Sequence, residues 1–192
     1  EMISRFDREI KAVGKLDHPH LVRAYDAGHD RGIHFLAMEF IDGMDLSRYV
    51  RQRGPLSIKQ AIKVMIQAAN GLAEAHRANL IHRDIKPANL MLTRKGIVKV
   101  MDLGLARVQN KSDQVADGTL TSVGQILGTP DYMAPEQWDD THTVDVRCDL
   151  YALGCTLFFL LTGSAPYQNQ TSLIKKMHAH LTQPIPDLKA AR

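Results

Sequence analysis

The sequence predicts an α+β fold in which one helix and two strands precede a larger, mainly helical part. Three observations support this class. Apolar residues at spacings of three and four open the chain over residues 2–16. Two pairs of short apolar segments, each pair separated by turn residues, indicate two small antiparallel hairpins. Two long segments, starting at Ser57 and at Asp145, have the length and pattern of buried helices.

The composition is that of an ordinary globular protein. The 192 residues are 44% hydrophobic and 23% charged, and a net charge of +3 is too small to indicate binding to nucleic acid. Cys148 and Cys155 lie in an apolar segment without metal-ligand spacing, so we expect buried, reduced thiols. The most apolar stretch, from Leu150 to Leu161, is shorter than the ~20 residues that cross a bilayer. We therefore expect no membrane span and a cytoplasmic domain.

The first part of the chain is predicted to be a helix followed by a hairpin. The helix over residues 2–16 should stop before Asp17-His18-Pro19. The strands should run from Leu21 to Tyr25 and from Ile33 to Phe40, because Asp30-Arg31-Gly32 between them is typical of a turn.

The larger part begins after Asp42-Gly43. We predict a short helix from Asp45 to Arg53 and a long one with Ser57 as its N-cap. The pattern indicates one buried side of the long helix, formed by Ile58, Ile62, Met65, Ala69, Leu72 and His76.

The remaining elements follow from the same signals. Residues 89–93 and 97–101 should form a hairpin, and residues 104–135 show no sustained periodicity, which is typical of a functional or a disordered loop. Residues 145–162 are apolar nearly all round and indicate a buried helix, whereas residues 169–181 indicate a surface helix. Pro184 and Pro186 should then end regular structure.

Four motifs, in order, carry the strongest functional signal. His82-Arg83-Asp84-Ile85-Lys86-Pro87-Ala88-Asn89 resembles the catalytic loop of protein kinases, and Asp102-Leu103-Gly104 resembles the DFG motif of that family with Leu for Phe. Gly128 to Glu136 is similar to the family's GTPxYMAPE, and Asp145 to Gly154 is similar to the segment that opens its central helix. The resemblance covers essentially the whole chain. It implies an α+β, protein-kinase-like fold with a mainly helical C-lobe and a truncated N-lobe.

The resemblance implies ATP and Mg²⁺ as cofactors and a protein as substrate. Asp84 would accept the proton of the attacking hydroxyl, and Lys86 would reach the γ-phosphate. Asn89 and Asp102 would hold Mg²⁺, which prefers oxygen ligands. Thr129 would hydrogen-bond Asp84 and Lys86, and Lys86-Pro87 with Gly128-Thr129-Pro130 is similar to the serine/threonine branch of the family.

The same resemblance implies a nucleotide site. Glu9 falls in the register of the glutamate that pairs with the ATP-binding lysine. Met38 would be the gatekeeper, the backbone of Glu39 and of Ile41 would meet the adenine edge, Asp45 would approach the ribose, and Met91 would form the floor. Core packing is the alternative interpretation of both methionines.

A loop regulated by phosphate is also implied. Arg83 beside the predicted catalytic carboxylate is typical of kinases whose loop is ordered by phosphorylation, and Thr119, Thr121 and Ser122 are the candidate acceptors. The alternative is that these hydroxyls only make the loop soluble. Ala88 and Phe159 occupy places that hold Glu in kinases with arginine-rich substrates, so no special preference for such substrates is expected.

The glycine-rich loop and lysine that precede the first helix in complete kinases have no counterpart before residue 1. We therefore expect a fragment, inactive in isolation, with a residual N-lobe over residues 1–41 and a C-lobe over residues 42–192 that is cut at its end. Lys176 to Leu188 resembles bacterial receptor-type kinases, whose cytoplasmic kinase domain is often tethered to the inner membrane by a segment outside this sequence. A pseudokinase or scaffold is the main alternative function, and a small-molecule phosphotransferase is a third.

Overall fold

The computed structural model of the protein describes residues 14, 16–31, 33–103, 130–138 and 144–192. Within these ranges five strands and five α-helices form an α+β architecture with two small antiparallel sheets. The predicted helix over residues 2–16 lies outside the described residues, apart from Gly14 and Leu16, as does most of the predicted loop from residue 104 onward.

The first sheet is a two-stranded hairpin. Strands β1 (Ala24–Asp30) and β2 (Ile33–Met38) pair antiparallel, as predicted, but β1 lies further along the chain than the predicted segment from Leu21 to Tyr25. Leu21 instead forms a parallel bridge with Val100, and its side chain is only 2% exposed. The prediction was wrong here because burial of Leu21 in the core favours pairing with the second sheet.

The second sheet has the strand order β3-β4-β5. Its strands are β3 (Gly43–Asp45), β4 (Leu90–Thr93) and β5 (Val98–Val100), of which the β4–β5 hairpin confirms the prediction. Strand β3 was not predicted, because three residues are too few to show a pattern. A Cβ atom on Gly43 would lie 2.2 Å from the carbonyl oxygen of Leu92, so only glycine allows this close pairing.

Two helices follow, and Ser57 caps the second as predicted, whereas Asp45, predicted as the first residue of the first helix, is its N-cap. Helix α1 (Leu46–Arg53) begins where Oδ1 of Asp45 accepts a hydrogen bond from the backbone nitrogen of Arg48 at 2.7 Å. Helix α2 (Ile58–Arg77) begins with a reciprocal capping box between Ser57 and Gln60.

The predicted buried side of α2 was mostly wrong. Ile58 and Ile62 are 56% and 50% exposed, and only Leu72 of the predicted set is fully buried, while Met65 and Ala69 pack at the edge of the core. The cause is a close approach: a Cβ on Gly71 would lie 2.6 Å from the carbonyl oxygen of His20. Small residues therefore occupy most of the inner side, which consists of Ala61, Val64, Ala68, Gly71, Leu72 and Ala75.

The last three helices complete the larger part. Helix α3 (Arg147–Thr162) confirms the predicted buried helix and ends at Gly163, whose φ of 81° is left-handed. Helix α4 (Leu173–Thr182) starts later than predicted because the side chain of Ser172 caps it. A single turn, α5 (Leu188–Ala191), follows the prolines, where no helix was predicted, and Asp187 caps it.

One large core cluster reaches from Leu16 to Leu161 and joins the second sheet to helices α1, α2 and α3. Cys148 and Cys155 are buried and unbridged, as expected. None of the helices in the described ranges is both long and apolar enough to cross a membrane.

Candidate active site

A buried carboxylate holds the loop from His82 to Asn89 through hydrogen bonds to its backbone. Asp149, on α3, is fully buried and accepts hydrogen bonds from the backbone nitrogens of His82 at 2.9 Å and Arg83 at 2.7 Å. His76, on α2, donates from Nε2 to the same carboxylate at 2.7 Å. Burial acts to raise the pKa of Asp149, but these hydrogen bonds outweigh burial and the pKa lies below its ordinary value. The anion is therefore an integral part of the loop's support.

The His82 ring connects this loop to the segment before Asp102. Its Nδ1 lies 3.2 Å from the backbone nitrogen of Asp84, and its Nε2 lies 2.6 Å from the carbonyl oxygen of Met101. A backbone N–H can only donate and a carbonyl can only accept, so the proton of the neutral ring is on Nε2. With both nitrogens used and 1% exposure, the ring is structural.

Three of the predicted catalytic side chains converge on one oxygen atom. Oδ2 of Asp84 lies 2.7 Å from Nζ of Lys86 and 3.0 Å from Nδ2 of Asn89. The Asn89 amide nitrogen also donates to the carbonyl oxygen of Asp84 at 2.8 Å, which fixes the orientation of the amide. The described residues provide no donor to Oδ1 of Asp84, so this oxygen can accept a hydrogen bond from a bound molecule.

A backbone hydrogen bond connects the residue before Asp102 to the loop that carries Asp84. The backbone nitrogen of Met101 donates to the carbonyl oxygen of Asn89 at 2.9 Å, so Asp102 is one residue from a backbone contact with the loop. Its φ of 57° is left-handed, a conformation that is uncommon for a residue other than glycine and is found at functional sites. Leu103 is 7% exposed and belongs to the core, so the leucine at this position packs as an apolar residue.

The donor set fits Mg²⁺. Both hydrogen bonds that the Asn89 side chain makes with described residues use its nitrogen, which leaves its oxygen as the ligand atom that Mg²⁺ prefers. Across the part of the chain that is described, no group of three or more His, Cys, Asp or Glu side chains is placed to hold a metal ion. A metal held by Asn89 and Asp102 would therefore need further oxygen ligands from nucleotide phosphates or water.

Two of the predicted nucleotide residues, Asp45 and Met91, lie in one row of the second sheet. Asp45 is the register partner of Met91, and Met91 is the register partner of Lys99. Side chains of register partners share a face of a sheet, so the predicted ribose and floor residues are neighbours. Nζ of Lys99 then lies 2.7 Å from Oε2 of Glu39, which connects the row to the segment after β2.

The backbone after β2 limits which groups can meet an adenine. The Glu39 nitrogen donates to the carbonyl oxygen of Arg23 at 2.8 Å, so its carbonyl is the group that is left for a ligand. The described residues provide no acceptor for the nitrogen of Ile41. Met38, at the end of β2, is 39% exposed. A methionine packed in the core would be buried, so this exposure argues against the core-packing interpretation of Met38.

Lys99 was missed in the sequence prediction. Its ammonium is largely buried, with 15% of the side chain exposed, and it also lies 3.3 Å from the carbonyl oxygen of Leu21. A signal was available, because Lys99 is the polar residue between the apolar Val98 and Val100 and must face away from the core.

Five of the predicted site residues lie outside the described residues: Glu9, Thr119, Thr121, Ser122 and Thr129. Their predicted roles stay predictions.

Comparison with known proteins identifies the family. The sequence model of the protein kinase domain matches residues 1–190. The chain belongs to the protein kinase family. The α+β architecture of the described residues agrees with the fold of that family.

Curated relatives of this kinase domain are bacterial serine/threonine kinases. The chain is 37% identical over 173 residues to the serine/threonine-protein kinase PrkC of Bacillus subtilis, which covers 90% of the chain and 26% of PrkC. It is 40% identical over 173 residues to PknL of Mycobacterium tuberculosis, covering 90% of the chain and 42% of PknL. It is 37% identical over 190 residues to pkn3 of Myxococcus xanthus, covering 96% of the chain and 34% of that kinase. The kinase domain thus spans about a quarter to two fifths of the length of these relatives.

Proposed function

We propose that the protein that contains this kinase domain transfers the γ-phosphoryl group of ATP to serine or threonine hydroxyls of a protein substrate. The observation that carries the proposal is the convergence of Lys86 and Asn89 on Oδ2 of Asp84. Phosphoryl transfer needs little covalent help, so positioning of the hydroxyl and compensation of charge provide most of the catalysis.

Asp84 is the proposed proton acceptor. Its Oδ2 is held by one cation and one amide, whereas its Oδ1 is directed to no donor of the described residues. A substrate hydroxyl that donates to Oδ1 would be oriented for attack on the γ-phosphorus and would lose its proton to the carboxylate as the bond forms. The Lys86 ammonium, 2.7 Å from Oδ2 of Asp84, can pair with the phosphate at the same time.

Asn89 and Asp102 are the proposed metal ligands. Mg²⁺ held by them would neutralise charge on the phosphate tail. The amide of Asn89 is locked by its two hydrogen bonds, so its oxygen needs no reorientation when the site is loaded. The backbone nitrogen of Met101 donates to the carbonyl oxygen of Asn89, so the two proposed ligands lie on segments that are in direct backbone contact.

The nucleotide would lie on the row formed by Asp45, Met91 and Lys99. The thioether of Met91 offers an apolar floor for a purine, and Oδ2 of Asp45, which its helix cap leaves unused, can accept from a ribose hydroxyl. The carbonyl of Glu39 and the N–H of Ile41 provide one acceptor and one donor for the edge of the adenine.

The proposal extends to the substrate class, regulation and compartment. Lys86-Pro87 and the names of the relatives support serine and threonine as acceptors. Phosphorylation at Thr119, Thr121 or Ser122, and a cytoplasmic location of the domain, are proposals that follow from the family alone.

A transfer assay tests the function. The full-length gene product is incubated with γ-labelled ATP, Mg²⁺ and a mixed protein substrate, and the labelled amino acids are identified after hydrolysis. Phosphoserine or phosphothreonine should form, and Asp84→Asn should lower the rate at least about 100-fold, because it removes the proton acceptor but keeps the shape.

Asp187→Asn is the matched control, since Asp187 caps the distant helix α5. The control should transfer label at the wild-type rate. A full-length protein that is folded, binds ATP and transfers no label would favour the pseudokinase alternative. Equal rates for wild type and Asp84→Asn would refute the assigned role.

A further inference from the structure

Gln137 connects two loops that the sequence keeps far apart. It ends the 3-10 turn Pro135–Gln137, and its Nε2 donates to the carbonyl oxygen of Arg83 at 2.8 Å. Its Oε1 accepts from the backbone nitrogen of Ala134 at 3.1 Å. The two bonds use opposite ends of one amide, so they fix its orientation and join the turn to the loop that carries Asp84.

The carbonyl that Gln137 holds belongs to the peptide unit between Arg83 and Asp84. The N–H of that unit donates to Nδ1 of His82 at 3.2 Å. The peptide unit directly before the Asp84 Cα atom is therefore hydrogen-bonded on both sides. Its N–H bonds to the imidazole of His82, and its carbonyl bonds to the amide of Gln137. Rotation of this unit would swing the Asp84 side chain as a whole.

These two hydrogen bonds hold a peptide unit that follows a residue with strained backbone, Arg83. Arg83 has a φ of 67°, in the left-handed region that costs about 1 kcal/mol or more for a residue with a side chain. Asp149 holds the N–H of Arg83 at 2.7 Å, but this bond fixes only the preceding peptide unit. The unit that follows the strained φ is bonded by His82 from within the loop and, among the described residues outside the loop, by Gln137.

We infer that Gln137 is a positioning residue that sets the orientation of the Asp84 carboxylate through the Arg83 carbonyl. Because Gln137 lies in the turn after Tyr132 and Ala134, the bond also couples that turn to Asp84. The inference rests on the proposed function for its consequence in catalysis, but the positioning itself can be measured without catalysis.

The competing interpretation is that Gln137 only caps its own turn. Gln168 shows what such a local cap looks like, since its Oε1 accepts from the backbone nitrogen of Ala165 at 3.2 Å, three residues earlier, in an exposed turn. The spacing and the bond are the same as those of Gln137 and Ala134. The difference between the two glutamines is the bond to Arg83, so Gln168 is a matched control.

The test compares Gln137→Glu, Gln137→Met and Gln168→Glu in the full-length protein. Gln137→Glu keeps an acceptor for Ala134 and loses the donor to Arg83, and Gln137→Met keeps the volume and loses both bonds. We expect both Gln137 variants to lower kcat about 10- to 100-fold at saturating ATP with KM for ATP changed less than twofold, because a misplaced catalytic group costs rate. Gln168→Glu should keep the wild-type kcat.

A second measurement follows amide hydrogen exchange in the peptide that contains residues 82–86, without turnover. Exchange should be faster in both Gln137 variants than in wild type and unchanged in Gln168→Glu. Unchanged exchange, or a kcat within twofold of wild type in Gln137→Glu, would overturn the inference. Rates are compared at a temperature where thermal unfolding shows every variant folded; if Gln137→Glu does not fold, Gln137→Met decides. If wild type transfers no phosphate, the proposed function fails and exchange alone decides the positioning role.

Discussion

Oδ1 of Asp149 lies 2.7 Å from the backbone nitrogen of Arg83, the residue before the proposed proton acceptor. Oδ2 of the same buried carboxylate accepts from the backbone nitrogen of His82 and from Nε2 of His76. A helix of the core thus determines where the loop that carries Asp84 runs. The support of the candidate site is therefore also part of the stability of the fold.

Asp149→Asn should strongly destabilise the domain. Whichever way the amide is turned, its NH₂ group faces at least one N–H donor in a site with no exposure to water. A buried donor left without an acceptor in a charged network costs about 3 kcal/mol, which urea unfolding can measure. Asp42→Asn, in an exposed pair with Arg94, is the control and should leave the midpoint unchanged. A midpoint for Asp149→Asn equal to that of wild type would contradict the described support.

Two helical glycines should respond differently to the same substitution. Gly71→Ala would place a Cβ 2.6 Å from the carbonyl oxygen of His20, which is backbone and cannot move aside, so we expect a loss of about 1–3 kcal/mol. Gly154→Ala meets no atom within 4 Å and should gain up to about 1 kcal/mol from helix propensity. Thermal unfolding of the two variants measures the contrast, and a stabilising Gly71→Ala would refute the close contact between α2 and residue 20.

His180 should make the stability depend on pH. It is 6% exposed on α4, and its Nδ1 lies 2.6 Å from the hydroxyl of Tyr151 on α3. Burial lowers its pKa, Asp131 acts in the opposite direction, and Lys176 lowers it further. The unfolded chain then binds the proton more readily, so this contribution to stability is complete well above pH 6.5 and declines as pH falls below it.

Urea unfolding at pH 7.5 and at pH 5.5 measures this effect. The free energy of unfolding of wild type should be lower at pH 5.5, and His180→Gln, which cannot titrate, should show a smaller difference between the two pH values. A difference of the same size in wild type and variant would assign the pH dependence to other groups.

The inner and outer sides of α2 give a further contrast. Ile62 is 50% exposed and Val64 is 6% exposed. Ile62→Gln should change the free energy of unfolding by less than about 0.5 kcal/mol, as is usual at a surface position. Val64→Gln buries an amide without a designed partner and should cost about 2 kcal/mol or more. Equal costs for the two substitutions would contradict the burial described for this helix and favour the buried side that the sequence pattern indicated.

Local signals in the sequence predicted much of this fold correctly. Ser57 caps its helix because its side chain accepts a bond from nearby backbone, and the β4–β5 hairpin follows from short apolar runs around Gly96. The loop from His82 to Asn89 is recognisable because its chemistry fixes residue types over a short stretch of chain.

Features that depend on distant parts of the chain could not be predicted this way. The buried side of α2 depends on the approach of residue 20 to Gly71. Apolar periodicity alone could not show which of the two sets of apolar residues on this helix faces the core. Lys99 gains its role from Glu39, and Gln137 from Arg83, both through contacts across the fold. Such partners become visible only when the chain is folded.

In the proposed site, Asn89 and Asp102 hold the metal that binds a nucleotide's phosphates beside Asp84. Calorimetric titration of the full-length protein with a non-hydrolysable ATP analogue, with and without Mg²⁺, tests it most directly. Mg²⁺ should tighten binding to wild type and to Asp187→Asn, and this gain should be lost in Asp102→Asn and in Asn89→Ala, while binding without metal stays the same. If Mg²⁺ tightens binding of the analogue to both variants as much as to wild type, Asn89 and Asp102 do not hold the metal.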